Sequence, residues 1–321
     1  MKIYFWGTRG SLPYSVRSEN IRTKIELALQ EAIRHDLRNE TNIQDFIDNT
    51  LSFDYKASYG CNTSCMEIRG GTEFVLCDAG SGLRDFGNDV MGSGVKPPVT
   101  FHIFMSHLHW DHIHGFPFFT PAFIPGHTIN IYGYHDQLES VFVKQQDPPV
   151  FPVPFSALQA DIRFHVLDLE RTYTIAGFEI EGIKQVHPND SYGYAFKMDG
   201  RKVVYSTDSE HQEESEKEDY EFGRFAEESD VLIFDAQYRL ADHIDAKKTW
   251  GHSSNIVAVE LAVRAKVKQL CLYHNEHTEN DHQLEHFLRE SREYLDIYSK
   301  GASSLEIHLA YDGLCIDLPK Q

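Results

Sequence analysis

The sequence predicts a layered α/β fold with a helical insertion near its N-terminus, and three observations carry that reading. Short runs of apolar and β-branched residues recur along the chain, helical patterns follow strand patterns, and residues 15–57 break the rhythm with helical spacing alone. In the first half, "KIYFWG" (2–7), "EFVLCDAG" (73–80), "TFHIFMS" (100–106) and "TINIYG" (128–133) have the composition of strands. In the second half, strands are expected in "TIAGFEIEGIKQVH" (174–187), "VLIFDAQ" (231–237), "QLCLYH" (269–274) and "SLEIHLAYDGLCIDL" (304–318). "YGYAFKMDGRKVVYSTD" (192–208) predicts a hairpin joined by its MDGR turn. Helices are expected in "HSSNIVAVELAVRAK" (252–266) and "NDHQLEHFLRESREYLDIY" (280–298). Within the insertion, Ile21, Ile25, Ala28, Leu29, Ala32, Ile33 and Leu37 keep helical spacing, and "TNIQDFIDNT" predicts a second helix capped by Thr41. Cover for the core is the plain role of such helices; an active-site lid or a homodimer contact are the alternatives.

Composition bounds the function. At 321 residues the chain is long enough for two average domains, and its patterning is read here as a single domain, 1–321, carrying the insertion. Apolar residues at 41% and aromatic residues at 12% supply a globular core. Lys and Arg number 30 against 49 Asp and Glu, a net charge of -19 that repels polyanions and disfavours a duplex or tRNA partner. "MKIYFWGTRG" turns polar after six residues and no apolar run approaches membrane-spanning length, so a soluble, cytoplasmic protein with no membrane partner is expected. The five cysteines, at 61, 65, 77, 271 and 315, are an odd number, which argues against a disulfide framework. Cys61 and Cys65 form a C-x3-C pair with no second pair, a weak basis for structural zinc. Residues 209–230 hold ten acidic and two basic residues and are expected to form a solvated helix or loop without chemistry.

Chemistry concentrates in "FMSHLHWDHIHG" (104–115), where four histidines and an aspartate occupy eight positions. His107 and His109 leave a strand end two residues apart and can face one side. Asp111 and His112 follow in a turn and could reach a second ion beside the first. The pattern differs from the helical H-E-x-x-H arrangement, but several imidazoles with a carboxylate at this spacing indicate a metal site. Such a site needs donors from elsewhere. His187 in "QVHPND", Asp208 in "YSTDSE" and His274 in "LYHNEH" each end an apolar run, although any one alone would pass for a cap or a surface residue.

"SHLHWDHIHG" resembles the H-x-H-x-D-H signature of the metallo-β-lactamase superfamily, and His187, Asp208 and His274 fall in the order of that family's remaining motifs. Residues 7–11 ("GTRGS"), 60–65 ("GCNTSC"), 77–82 ("CDAGSG") and 250–254 ("WGHSS") are similar to a branch that includes ribonuclease Z and metal-dependent cyclic nucleotide phosphodiesterases. The resemblance covers nearly the whole chain. It implies a four-layer αββα fold with two mixed sheets, helices outside, and a dinuclear site at one edge. It further implies that His107, His109 and His187 hold one divalent ion, that Asp111, His112 and His274 hold the other, and that Asp208 bridges them. Zinc is the expected metal, and Mn or Fe suits the same donors.

The resemblance gives Asp78 the support of a ligand histidine, where the residues alone allow a turn cap. It gives His252 contact with a phosphate or its leaving group, where the residues alone allow a helix cap. Asn62, Thr63 and Ser64 offer donors near the site, or satisfy a buried turn. The chain departs from the branch at Cys61, at His114 where Gln is expected, and in "HNEH" where a second His and "DP" often follow. His114 then faces substrate, supports a ligand, or simply packs.

The activity implied is hydrolysis of a small phosphodiester such as 3',5'-cyclic AMP. A ribonuclease Z-like endonuclease is the alternative; a lactone hydrolase fits Asp111 and His252 less well, and a metal-binding regulatory module is the non-enzymatic reading. Metal analysis after gentle purification should approach two ions per chain. Asp208→Ala should lower the occupancy of both sites, and a variant with full metal content would remove Asp208 from the donor set.

Overall fold

The computed structural model describes residues 1–211, 215, 217, 219–239 and 250–320. The first half forms β1 (Lys2–Gly7), β2 (Cys65–Arg69), β3 (Phe74–Cys77), β4 (Thr100–Phe104), β5 (Thr128–Gly133) and β6 (Asp161–Val166). The second forms β7 (Tyr173–Ile175), β8 (Phe178–Gln185), β9 (Ser191–Met198), β10 (Arg201–Ser206), β11 (Val231–Asp235), β12 (Gln269–Tyr273) and β13 (Glu306–Leu309), and β14 (Cys315–Asp317) returns to pair with β1. Two seven-stranded sheets result, ordered β14-β1-β2-β3-β4-β5-β6 and β13-β12-β11-β10-β9-β8-β7. Each is mixed. In the first, β3 to β6 run parallel and the rest antiparallel; in the second, β10 to β13 run parallel and β7 to β10 antiparallel. The local sequences explain the division. "VLIFD" of β11 is apolar up to its closing aspartate, with every residue buried, as a parallel strand covered on both faces must be, whereas "FEIEGIKQ" of β8 alternates. The run 304–318, where strand was expected, divides at the Tyr311–Leu314 turn and sends one strand to each sheet.

The insertion forms α1 (Ser18–Ala32), α2 (Glu40–Asp45) and α3 (Phe53–Lys56). Asn39, not Thr41, caps α2: in extended conformation its side chain accepts from the Asn42 N–H, which places Thr41 inside the first turn. Core cover comes from Phe53, Tyr59, Phe46 and Leu51, and not from α1, which buries none of its residues. Its Ile21, Ile25, Leu29 and Ile33 are 52%, 54%, 62% and 84% exposed, while Lys24 on another face ties the helix to Asp281 at 2.5 Å. The helical spacing there was legible, but the face it presents is open to solvent.

Three apolar layers separate four layers of structure. Phe5, Phe104, Tyr194, Phe196 and Ile233 fill the space between the sheets. Outside the first sheet, α4 (Gly82–Gly92), α5 (Trp110–Ile113) and α6 (Leu138–Lys144) contribute Leu83, Phe86, Ile113 and Phe142 against Phe101 and Ile103. Outside the second, α7 (Glu221–Ala226), α8 (Asn255–Arg264) and α9 (Asp281–Ser299) contribute Phe222, Leu261, Leu284 and Phe287 against Leu232, Phe234 and Leu270. This is the αββα arrangement. Parallel strands point their carboxyl ends in one direction, and in open α/β sheets that edge is where loops assemble sites. Among the described residues no helix is long and apolar enough to cross a membrane.

Phe104 sits fully buried between the sheets, stacked on Tyr132 at 4.7 Å and edge-on to Phe196 at 5.3 Å. Phe104→Ala should cost about 3–5 kcal/mol in chemical denaturation, the loss typical of an aromatic side chain replaced by a cavity.

Candidate metal centre

The carboxyl ends of β3, β4, β8, β10, β11 and β12 lead into Asp78, His107, His187, Asp208, Asp235 and His274 respectively. Ladder register aligns them: Phe104 lies opposite Cys77, Ser206 opposite Phe234, and Asp235 opposite Tyr273. After β4 the chain bends at Ser106, is extended at His109 and then forms α5, so the turn the sequence suggested for Asp111 and His112 is one turn of helix. A single turn of helix turns both side chains back toward His107 and His109.

All seven donors expected from the sequence come together. The rings of His107 and His109 lie 4.5 Å apart by centroid, and that of His187 lies 4.9 Å from each. On the other side, Asp111 Oδ2 is 3.3 Å from both His112 Nε2 and His274 Nε2, which are 3.4 Å from each other. Asp208 stands between the groups: Oδ2 lies 3.6 Å from His107 Nε2 and 3.7 Å from His187 Nε2, while Oδ1 lies 3.2 Å from His112 Nε2 and 3.3 Å from His274 Nε2. One carboxylate oxygen therefore faces each set of three. Within the triads His107–His109–His187 and Asp111–His112–His274 the donor atoms lie within 4.8 Å of one another.

This donor set fits divalent transition-metal ions. His107 Nε2 is buried with no hydrogen-bond partner among the described residues, while Nδ1 of the same ring meets Ser106 Oγ at 3.1 Å. Asp78 accepts from His112 Nδ1 at 2.8 Å, from Ser106 N–H and O–H at 2.8 Å, and from Tyr205 O–H at 2.7 Å. It thus fixes the His112 ring directly and the His107 ring through Ser106, leaving both Nε2 atoms toward the cluster. His187 donates Nδ1–H to Gly251 O at 2.7 Å. Gly251 must be glycine: its φ is +86°, and a Cβ would stand 2.3 Å from His187 Nδ1. Gly10 makes similar room for His274, whose Nδ1 a Cβ there would meet at 2.4 Å.

Electrostatics favour the donor forms. Burial, with His112 next, holds His107 well below the ordinary histidine range, and burial likewise lowers His109 and His187. Burial works against charge on Asp111 and Asp208, but surrounding imidazoles outweigh it and hold both carboxyls well below the usual range. His112 shows the converse: burial opposes its charge, yet Asp208, Asp111 and Asp78 keep a proton on it well above the ordinary pKa. A cation could take the place of that proton.

His252 lies in the loop ahead of α8, two residues before the true cap, Ser254. Its Nδ1 meets Asp235 Oδ2 at 2.8 Å and Asp208 Oδ2 at 3.9 Å, and its ring stacks on His274 at 5.0 Å. Burial opposes its charge, but Asp235 and the other carboxylates raise it to about 9; cations in the cluster would push it back down. Sequence reasoning missed Asp235, although it ends the run "VLIFD" as Asp208 and His274 end theirs. It also missed Glu210, read as part of a solvated acidic stretch. Part of that stretch lies outside the described residues, but Glu210 and His211 are buried, and Glu210 accepts from Gly251 N–H at 3.1 Å. Ser11 was another omission: its backbone N–H donates to Asp111 Oδ2 at 2.8 Å.

The remaining expected residues surround the cluster. Thr63 O–H donates to Asp111 O at 2.7 Å and meets His114 Nε2 at 3.0 Å. Asn62 bonds Asp85 and Ser81, and buried Ser64 accepts at its backbone O from Gly80 N–H. These bonds hold the 60–65 turn against the start of α4 and against α5. No cysteine belongs to a donor group among the described residues.

Fold and cluster together define a metal-dependent hydrolase of the β-lactamase type. Residues 73–275 match the family model described as the beta-lactamase superfamily domain, and the chain belongs to that superfamily. It is 24% identical over 258 residues to ribonuclease Z of Picrophilus torridus, a match spanning 64% of this chain and 77% of that protein. Its fold is similar to that of the metallo-β-lactamase fold protein YhfI from Bacillus subtilis, with a TM-score of 0.64, 19% identity and 98% of each chain covered. A diphosphatase of the PhnP family gives 0.62 at 19% identity, over 99% of this chain and 98% of that one. Human short-form tRNase Z gives 0.58 at 18% identity, over 99% and 100%.

Gly251→Ala would force its backbone from the left-handed region and press on the His187 ring. Metal affinity should fall about 10–100-fold, the loss typical when a partner of a ligand histidine is disturbed. Titration with a chelator measures it, and an unchanged affinity would show that His187 needs no help from this loop.

Proposed function

We propose that the protein is a dinuclear metal-dependent phosphodiesterase acting on small cyclic nucleotides, with 3',5'-cyclic AMP as the representative substrate. The observation that carries this reading is the pair of donor triads joined through the two oxygens of Asp208. His107, His109 and His187 would hold one ion, Asp111, His112 and His274 the other, and Asp208 both. Two such ions, when bound, acidify water, orient a phosphoryl group and stabilise charge on the attacking and leaving oxygens.

The chain's own groups supply the rest. Asp111 is kept in place by Ser11 N–H and His112 by Asp78, so the cluster is preorganised before substrate arrives. Asp235 accepts from His252 Nδ1–H, which orients the ring and leaves Nε2 as the nitrogen for proton transfer. Water adds to phosphorus, the P–O bond to the ribose oxygen breaks, and that oxygen takes the proton from His252 Nε2. The proton released by water returns through solvent to His252. The acidic composition supports a small substrate over an extended polyanion. The likeness to a ribonuclease Z supports a second reading, endonucleolytic cleavage of RNA, and pre-tRNA belongs in the same turnover screen beside cyclic nucleotides and a lactone.

His252→Ala should keep its metals and lose about a hundred- to ten-thousandfold in kcat on a cyclic nucleotide, the range of general acid assistance. It should lose far less on bis(p-nitrophenyl) phosphate, whose leaving group needs no proton. Equal losses on both would assign His252 to phosphate binding, and loss of an ion would make it a ligand.

A further inference from the structure

Beside the donor cluster lies a cavity of about 350 Å³ that the proposed chemistry leaves unused. Leu12 and Pro13 form one wall, Trp110, His114 and Phe118 the other, and Arg84 adds a guanidinium. Trp110 is 62% exposed, Phe118 56% and Leu12 45%. Isolated exposed apolar residues are ordinary, but three around one concavity next to a reactive cluster are not.

The local geometry ties this cavity to the cluster. Trp110 opens α5 and His114 caps its end, four residues on, with ring centroids 4.9 Å apart, while Asp111 and His112 between them join the donors. The opposite wall begins at Leu12, the neighbour of Ser11, whose N–H holds Asp111. Both walls are therefore anchored on the same carboxylate. The lining is also more than apolar. His114 Nδ1 is buried with no partner among the described residues, and Arg84, paired with Asp85 at 2.8 Å, presents a planar cation.

We infer that this cavity receives a planar aromatic group carried by the hydrolysed ester, stacked on Trp110, and that a nucleobase is the chemical class it takes. A saturated chain would make no use of the exposed Trp110 ring or the Arg84 plane, both of which stack on an aromatic face, and a sugar would leave Leu12, Pro13 and Phe118 wet. A nucleobase is a neutral disc with apolar faces and a polar edge, and it meets both requirements. The inference rests on the phosphodiesterase reading for what the base is attached to, but the binding it asserts can be measured without turnover.

The test is calorimetric titration of the metal-replete protein with adenosine 5'-monophosphate and with ribose 5-phosphate, which carries a hydroxyl where the monophosphate carries its base. The monophosphate should bind more tightly. Trp110→Ala should weaken it about 5- to 150-fold, the range of one base–aromatic stack, and leave ribose 5-phosphate unchanged. Phe118→Ala, from the same wall, serves as the second variant; metal content and circular dichroism establish that each is folded. Equal affinity of the wild type for the two ligands, or for neither, overturns the inference, as does a base-dependent affinity untouched by both substitutions. Base-dependent binding lost in Trp110→Ala, with no phosphodiester turned over, upholds the cavity and defeats the functional reading; turnover of cyclic nucleotides without any base-dependent affinity does the reverse.

Discussion

Everything at the working edge of this protein follows from placing Asp208, His107, His112 and His274 together where almost none of their surface is exposed. Removing a carboxylate from water is costly, and its attraction to neighbouring imidazoles offsets that cost only when the geometry is good and the remaining hydrogen-bonding positions are met. The arrangement around the cluster answers that demand. Asp78 takes four hydrogen bonds and uses two of them to settle the rings of His107 and His112. Asp78, Asp208 and His274 all adopt positive φ, at 61°, 50° and 62°, conformations that side-chain-bearing residues visit rarely and that persist when the surroundings fix them. Backbone strain at three strand ends accompanies a set of directed side chains.

Much of this was legible. An apolar run that stops at His or Asp is a strand delivering a polar group to an edge, and by that sign His187, Asp208 and His274 could be paired with the histidine-rich segment from far away in sequence. The same sign pointed at Asp235 and went unused, because a lone aspartate after a strand is so often a cap. β6, "DIRFHV", alternates plainly and was still passed over, whereas β2, "CMEIR", hides behind Glu67, which is buried against Trp6 Nε1 at 3.0 Å and Arg69. Helical periodicity found α1, but periodicity says only that one face is apolar, and not what that face meets. Glu210 was illegible for a related reason: in a run of acidic residues nothing local marks the one that a distant N–H from Gly251 will claim.

The two sheets contribute to the cluster separately. His107, His109, Asp111 and His112 follow β4 of the first sheet, whereas His187, Asp208 and His274 follow strands of the second. The layer between the sheets is packed with rings such as Phe104 and Tyr194, and directed hydrogen bonds from Tyr194 O–H to Met105 O and from Tyr273 O–H to Gly7 O, each 2.7 Å, cross it near this edge. Each triad draws on both sheets. An ion shared by His107, His109 and His187, or by Asp111, His112 and His274, would act as a further rivet through the sandwich, beside those hydrogen bonds. Ligation and fold stability are then a single linked equilibrium, and a chelator would loosen the seam between the sheets as well as empty the site.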